Sequence, residues 1–387
     1  MDFFIESFKG GNFQWQMVVM WIIGGLLIYL AIAKKLEPAL LLPIGFGAIL
    51  INIPLSGAAN QIMPGIGEVT GILDWLFEVG INASEALPLL LFIGIGAMID
   101  FGPLLSNPKL LFFGGAAQIG IFLTIITASL LGNVFNFTLA DAASIGIIGA
   151  ADGPTSILVA NVLKSGYMGA IAVAAYSYMA LVPIIQPAAI KLVTTKKERA
   201  IRMSYNPQKV SKTTKIIFPI LVTVFSGLIA PASVSLVGML MFGNLIRECG
   251  VLDSLSEAAQ KMLANLITLL LGITIASTMK AAKFVKVETL LIMCMGLLAF
   301  VFDSIGGVLF AKLLNLFLPE GKKINPMVGA AGISAFPMSA RVIQRLGLEA
   351  DPENHLLMHA VSANVSGQIA SVVAGGIILS IVPGLLV

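Results

Sequence analysis

Long apolar runs separated by short polar ones set the pattern of this chain. Runs near 15–33, 38–54, 86–101, 109–132 and 167–190 occupy the first half. Runs near 216–230, 232–247, 262–279, 287–316 and 355–386 occupy the second. A straight helix needs roughly 20 apolar residues to span a bilayer, and some of these runs fall short. Lipid offers backbone groups no hydrogen-bond partner, so the pattern predicts helices. Gly and Pro recur inside several runs, which predicts kinks and broken helices rather than straight rods. The expected fold is an all-α polytopic membrane protein with ten spanning helices.

Charge orients these runs. Lys191 to Lys215 holds eight basic residues against one acid, Glu198, and the positive-inside rule puts this loop in the cytoplasm. Ser56 to Ser84 carries Glu68, Asp74 and Glu78 and no base, which suits the outer face. The segment 144–163 decides the topology. If it crossed the membrane, the following span would carry the basic loop outside. A re-entrant element at 144–163 keeps the loop inside, giving each half five spans plus one re-entrant piece. An odd span count inverts the halves, with 1–195 as the first, 196–214 as the linking loop and 215–387 as the second. Lys280, Lys283 and Lys286 then fall outside, against the rule, but the central loop carries the larger basic excess.

An internal repeat agrees with this division. Leu89-Leu90-Leu91-Phe92-Ile93-Gly94-Ile95-Gly96 resembles Leu269-Leu270-Leu271-Gly272-Ile273-Thr274-Ile275-Ala276, and Gly149-Ala150-Ala151 matches Gly329-Ala330-Ala331. Both matches share an offset of 180 residues. Inverted repeats with broken helices meeting at the midplane are a common plan of ion-coupled transporters.

Composition narrows the class further. Of 387 residues, 58% are hydrophobic and 11% charged, against about 25% charged in soluble domains. No basic stripe with interleaved aromatics suggests nucleic acid. Cys249 and Cys294 lack the spacing of a metal site or disulfide framework. The start, MDFFIESFKGG, is not the basic head of a cleaved signal peptide, so the first apolar run is expected to remain as a helix.

The chemistry concentrates in two strings. In Gly149-Ala150-Ala151-Asp152-Gly153-Pro154-Thr155-Ser156, an acid lies in an apolar stretch, where it needs a cation, a proton or a partner. Gly153 and Pro154 break the helix and free carbonyls. With Asp152 and the hydroxyls of Thr155 and Ser156, they make an oxygen cage suited to a hard cation such as Na⁺. The plainer alternative is an Asp capping a helix at the membrane surface. The second string, Asn325 to Arg341, is the repeat partner. It supplies neutral oxygens from Asn325 and Ser334, glycines including Gly329, and one cation. One carboxylate facing neutral ligands would let the ion leave. The plain reading of Arg341 is an interfacial residue beside a Gly/Pro loop.

Further polar residues stand in the spans. Tyr176 and Tyr178 are deep enough to reach Asp152, although membrane tyrosines usually anchor at interfaces. Asn364, Ser366 and Gln368 lie in the matching second-half span as further ligands. Asp303 sits in an apolar run with no evident partner. His355 and His359 have the spacing of metal ligands on one helix face, but Asp351 and Glu353 beside them favour a solvated helix start. The Asn107-Pro108-Lys109 turn and the glycine clusters lack the context of a nucleotide site.

At these strings the sequence resembles the β subunit of the biotin-dependent, sodium-pumping decarboxylases, which include the oxaloacetate, methylmalonyl-CoA and glutaconyl-CoA enzymes. GAADGPTSI at 149–157, NPMVGAAGISAFPMSARVIQ at 325–344 and NVSGQIAS at 364–371 carry the resemblance, which extends along essentially the whole chain. It implies that Asp152 is the sodium-binding aspartate and Tyr178 the functional membrane tyrosine. It also implies that Asn325, Gly329, Ser334 and Arg341 form a second functional cluster. The implied activity is decarboxylation of carboxybiotin coupled to outward Na⁺ transport across the cytoplasmic (inner) membrane. No Met-Lys-Met biotinylation motif is present, so carboxybiotin would come from a partner. The implied partners are a carboxyltransferase or biotin-carrying subunit, a small membrane γ or δ subunit, and further β copies in a hetero-oligomer. Arg341 would meet the carboxylate of carboxybiotin, with Ser334 nearby. The competing reading is a sodium-coupled secondary carrier of an organic anion, and a third is a structural membrane anchor.

Overall fold

The computed structural model describes residues 13–385 other than 64, 66, 84 and 205–208. The expectation for the first twelve residues, and the middle of the basic loop, lie outside the described residues. Helices follow the apolar runs closely. Helices α1 (Trp15–Ala33) and α2 (Pro38–Ile51) pack as a pair. Helix α3 (Ile72–Phe77) continues through a π-helical turn, Glu78–Asn82, towards α4 (Ala86–Met98). Helices α5 (Leu111–Ala117) and α6 (Ile119–Phe135) are one run interrupted at Gln118. Helices α7 (Leu139–Gly146) and α8 (Gly153–Val162) flank the Asp152 string, and α9 (Met168–Val193) closes the half.

The second half is helical as well. It runs through α10 (Lys212–Ile229), α11 (Val234–Cys249) and α12 (Asp253–Ala258). A π-helical turn, Ala259–Leu263, then leads into α13 (Ala264–Ile275) and α14 (Val287–Asn315). Helices α15 (Pro326–Ala330) and α16 (Met338–Ala350) flank the second interruption, and α17 (Leu357–Leu385) ends it. A small antiparallel pair, β1 (Gln61–Met63) and β2 (Gly67–Val69), sits in the acidic stretch after α2.

The protein is an all-α polytopic membrane protein. Among the described residues, seven helices are long and apolar enough to cross a bilayer, and the bent pair Ile72–Asn82 and Ala86–Met98 adds an eighth if it is one span. The ten expected from the sequence also require α2, of 14 residues, and α11, of 16. Large apolar side chains such as Phe112, Leu130, Phe225 and Leu228 face outward, as lipid contact demands. Charges gather near the helix ends, where Lys191 meets Glu349, Lys312 meets Glu198 and Lys280 meets Asp74. Lys280, the first of the three discordant lysines, thus has its charge matched by the acidic stretch.

The two interrupted segments are hairpins. The first begins with a capping box, in which Thr138 and Asp141 satisfy each other's backbone N–H groups. The same Asp141 carboxylate accepts from Ser165 Oγ at 2.6 Å and from Gly166 N at 3.2 Å, just beyond α8. Both ends of 139–166 are therefore tied together, and the hairpin is longer than the expected 144–163. The second hairpin begins at Asn325, whose side chain donates to Arg199 O and Ile201 O at 2.8 Å each. Its far end is held by Lys191–Glu349 and by Arg202, which grips Asp351 with two nitrogens. Helix α9, about 39 Å long at 1.5 Å per residue, separates the two anchor points. The hairpins therefore enter from opposite ends of the molecule and meet in its interior.

The second hairpin packs on α14 through close backbone contact. A Cβ at Gly329 would lie 2.0 Å from Gly307 O on α14, and one at Gly307 would lie 2.0 Å from Gly329 O. Small residues that let backbones approach are the usual device of helix packing in lipid. Gly329→Ala is expected to lower stability by about 1–3 kcal/mol through overpacking, read as a lower thermal midpoint of the detergent-solubilised protein. A midpoint equal to that of the unaltered protein would show that the contact is loose.

Candidate functional site

The site starts from helix breakage. After α7 the chain makes one 3₁₀ turn, Ile147–Ala150, and Ala151 then adopts a left-handed conformation at φ 53°. Asp152 follows in extended backbone and caps α8, with Pro154 in the first turn. The acid is thus an N-cap, as the plainer sequence alternative had it. It is not at a surface, however, since Asp152 is only 5% exposed.

Every direct partner found for the Asp152 carboxylate is a hydroxyl or a backbone amide. Thr155 Oγ1 donates to Oδ2 at 2.7 Å, Ser371 Oγ of α17 donates to Oδ2 at 3.1 Å, and Thr155 N donates to Oδ1 at 3.4 Å. Ser334 Oγ of the second hairpin lies beside the same carboxylate while its own proton goes to Ala150 O. Ser156 Oγ donates to the Asp152 backbone carbonyl at 2.8 Å. Among the described residues, no Lys or Arg is paired with Asp152. An unpaired carboxylate in an interior costs several kcal/mol. Here three hydroxyl oxygens, each able to turn its proton away and offer a lone pair, surround the charge. This donor set is all hard oxygen with one negative charge, the chemistry of an alkali-cation site.

The two hairpins touch at this point. Ser334 N and Ser334 Oγ both donate to Ala150 O, each at 3.0 Å. A fully buried carboxamide braces the crossing from α9. Gln186 Nε2 donates to Ala330 O at 2.8 Å, and Gln186 is hydrogen-bonded to Ser339 through both of its side-chain atoms. Gln186 thus ties the two sides of the second interruption to one helix. It stands between Pro183 and Pro187 in an apolar run, and only its polarity there could have marked it in the sequence.

The other sequence candidates divide. Thr155, Ser156 and Ser334 gather around Asp152. Asn364 faces the second hairpin, donating to Ile333 O at 2.6 Å, and its Oδ1 is buried without a hydrogen-bond partner. Ser366 donates to Leu110 O and Ala363 O, and Gln368 is buried on the same helix. Asn325 lies at the mouth of its hairpin, where Oδ1 caps α15 through Met327 N at 3.0 Å while Nδ2 holds the basic loop. Its amide anchors the hairpin and does not reach Asp152. Gly329 is a backbone contact against α14. Of the tyrosines, Tyr176 packs on Gly153 beside Asp152, whereas the Tyr178 hydroxyl donates to Met293 O on α14. Residues two apart on a helix point about 200° apart, so only one of them can face the acid.

Asp303, which had no partner in the sequence, has one in the structure. Its Oδ1 accepts from Ile121 N at 3.1 Å and the same carboxylate bonds Gly120 N, so it caps α6 across the interruption at Gln118. His355 faces Gln344, and His359 is bonded to the Met203 backbone. Ser371 closed the recognised NVSGQIAS string, yet nothing in the sequence singled it out as a partner of Asp152.

Arg341 lies elsewhere, exposed on α16. It lines a cleft of about 320 Å³ with Lys35, Glu37, Pro183 and Arg345. Lys35 and Glu37 sit in the tight α1–α2 turn, both with positive φ. Burial pushes the Glu37 carboxyl up, and the Arg341 guanidinium opposes that shift. Three cations against one acid make the cleft attractive to an anion.

Fold and site together define an all-α integral membrane protein with a carboxylate sealed at the crossing of two broken hairpins. The chain belongs to the family described as Na⁺-transporting oxaloacetate decarboxylase beta subunit, which matches residues 16–382. It is a membrane subunit of a sodium-transporting carboxylic acid decarboxylase. Relatives include the glutaconyl-CoA decarboxylase subunit beta of Acidaminococcus fermentans, 48% identical over 96% of this chain and 95% of that one. The methylmalonyl-CoA decarboxylase subunit beta of Veillonella parvula is 49% identical over 97% of this chain and 94% of its own. The oxaloacetate decarboxylase beta chain of Klebsiella pneumoniae is 44% identical over 94% of each.

Two serine and asparagine changes separate ligand from anchor. Ser371→Ala removes a direct partner of Asp152 and is expected to weaken Na⁺ binding by about 10–100-fold. Asn325→Ala is expected to cost about 1–2 kcal/mol of stability through the lost cap, while the folded fraction keeps its Na⁺ affinity. Titration with ²³Na NMR beside thermal unfolding reads both, and identical effects of the two changes would contradict the division.

Proposed function

We propose that this chain decarboxylates carboxybiotin at the Arg341 cleft and couples that step to outward Na⁺ movement through Asp152. The observation that carries the reading is the Asp152 donor set, one buried carboxylate hydrogen-bonded by hydroxyls of α8 and α17 with the Ser334 oxygen of the second hairpin beside it. A site shared by two hairpins that enter from opposite ends can open to either side by moving one against the other, as alternating access requires. The halves are read as inverted repeats. The shared order of elements and the π-helical turns at Glu78–Asn82 and Ala259–Leu263 support this, since they stand near the 180-residue offset of the sequence matches.

The basic segment between α9 and α10 is read as cytoplasmic, and the Arg341 cleft opens at that same end. A carboxyltransferase or biotin-carrying subunit would deliver carboxybiotin there, with a small γ or δ subunit and further β copies completing a complex in the inner membrane. Arg341, Lys35 and Arg345 suit the carboxylate, Arg341 as a planar fork. Release of CO₂ breaks the N–C bond and leaves the electron pair on the ureido nitrogen, which takes up one proton. The cleft then loses one negative charge, and the balance between Arg341 and Glu37 shifts with it. Ser334, four residues before Met338 at the start of α16, links that helix to Asp152. Tyr178 belongs to the wall between α9 and α14.

A proton and a sodium ion contend for the same Asp152 oxygens, so apparent Na⁺ affinity is expected to fall as the medium is acidified. Affinity that stays flat across roughly pH 5 to 8 would count against Asp152 as the ligand. The decisive experiment reconstitutes the chain with its biotinylated partner in vesicles and follows radioactive sodium. Uptake is expected only while carboxybiotin is supplied, and Asp152→Asn is expected to reduce it by at least about 100-fold. Sodium movement without carboxybiotin, accompanied by an organic anion, would establish the secondary carrier instead. Full activity of Asp152→Asn would leave only a structural anchor.

A further inference from the structure

Lys280, Lys283 and Lys286 lead into α14 at the end away from the basic segment, which Lys312 meets at the other end of that helix. Lys280 is matched by Asp74 at 2.6 Å. Among the described residues, Lys283 and Lys286 pair with no carboxylate, and both are exposed. Lys286 stands at the head of a slot between α1 and α14, with a volume of about 480 Å³. Trp15, Val19 and Ile23 form one wall, and Val287, Leu290 and Met293 form the other. The first set is spaced i, i+4, i+8 and the second i, i+3, i+6, so each is a stripe along one face of its helix. At 1.5 Å per residue, the α1 stripe runs about 12 Å inward. Phe284 and Thr289 line both this slot and a neighbouring cleft that holds Lys283, so Lys283 stands close to the head of the slot. Glu288 does not line the slot and acts instead on Tyr167, in the neighbouring cleft.

An apolar slot beneath unpaired cations, beside a tryptophan at a helix end, has the chemistry of a site for an anionic amphiphile. Its depth decides between a lipid chain and a partner's helix. About 12 Å is most of one leaflet, because the whole hydrocarbon core is about 30 Å thick. A spanning helix would need a groove of the full thickness, whereas an acyl chain needs only its own leaflet. We propose that the slot holds one chain of an anionic phospholipid whose phosphate meets Lys286 and Lys283. The lipid then supplies to these two lysines the counter-charge that Asp74 supplies to Lys280, at the end where the positive-inside bias disfavours bare cations. The inner end of the slot reaches a functional candidate. Met293 lines it, and the Met293 carbonyl accepts the hydroxyl of Tyr178 from α9. A chain seated there packs against the turn of α14 that holds Tyr178.

The test titrates the purified complex in detergent with phosphatidylglycerol or phosphatidylcholine and counts bound lipid by native mass spectrometry. Phosphatidylglycerol is expected to fill one saturable position per chain, with a preference of about tenfold or more over phosphatidylcholine. Lys283→Gln combined with Lys286→Gln is expected to abolish that preference without unfolding the protein, because both side chains are exposed. Leu290→Trp narrows the slot and keeps both lysines, and it is expected to weaken phosphatidylglycerol by about tenfold. Leu290 is 65% exposed, so this change disturbs no core. Equal binding of the two lipids, or a preference that survives the lysine changes, overturns the proposal. Displacement of phosphatidylglycerol by inorganic phosphate, or full binding by Leu290→Trp, shows that the lysines hold an anion and the slot holds no chain, which overturns it too. The reading needs no sodium and no carboxybiotin, so its failure leaves the proposed function untouched.

Discussion

The constraint from which this structure follows is that a polypeptide inside lipid must satisfy its own backbone. Continuous helices do so by themselves, and broken ones cannot. This chain breaks helices at Asp152, at Gln118 and between α15 and α16, and it repairs each break with a group from another element. Ala150 O, freed by the first break, takes both donors of Ser334 from the second. The α6 N–H groups freed at Gln118 go to Asp303. Gln186 donates to Ala330 O, at the edge of the second interruption. The site is therefore a consequence of mutual repair, and the polar side chains that gather there are the ones that breakage requires.

That logic explains what the sequence revealed and what it concealed. Helix positions were legible because twenty-residue apolar runs separated by charges admit few other structures in lipid. The first interruption was legible because Gly153 and Pro154 stand beside an acid in an apolar stretch. Asp152 announced itself by cost. Asn325 was equally visible as a polar residue in a Gly/Pro string, yet it serves as an anchor at the hairpin mouth. Position along a string does not reveal depth once the string folds back on itself.

Facing was the harder property. Tyr176 and Tyr178 look alike in sequence, and the 3.6-residue turn sends them to different neighbours. Gln118 and Gln186 carry no local motif, and Ser371 ends one without being marked as a partner of Asp152. Each is a single polar side chain in an apolar helix whose role depends on an element more than 140 residues away, as the bonds of Gln186 to Ala330 and of Ser371 to Asp152 illustrate. Asp303 likewise had no sequence partner because its partners are backbone amides, which no sequence displays.

Helix α17 touches both hairpins. Its Ser371 holds Asp152 of the first and its Asn364 holds Ile333 of the second. Seven residues of α-helix fix these two grips about 10 Å apart along a stiff rod. Hydrogen bonds tolerate only a few tenths of an ångström of stretch before they are lost. A slide of one hairpin past the other by more than that must therefore release one grip or the other. The rod acts as a gauge block, under which the two halves of the molecule can be in register or in motion, and never both.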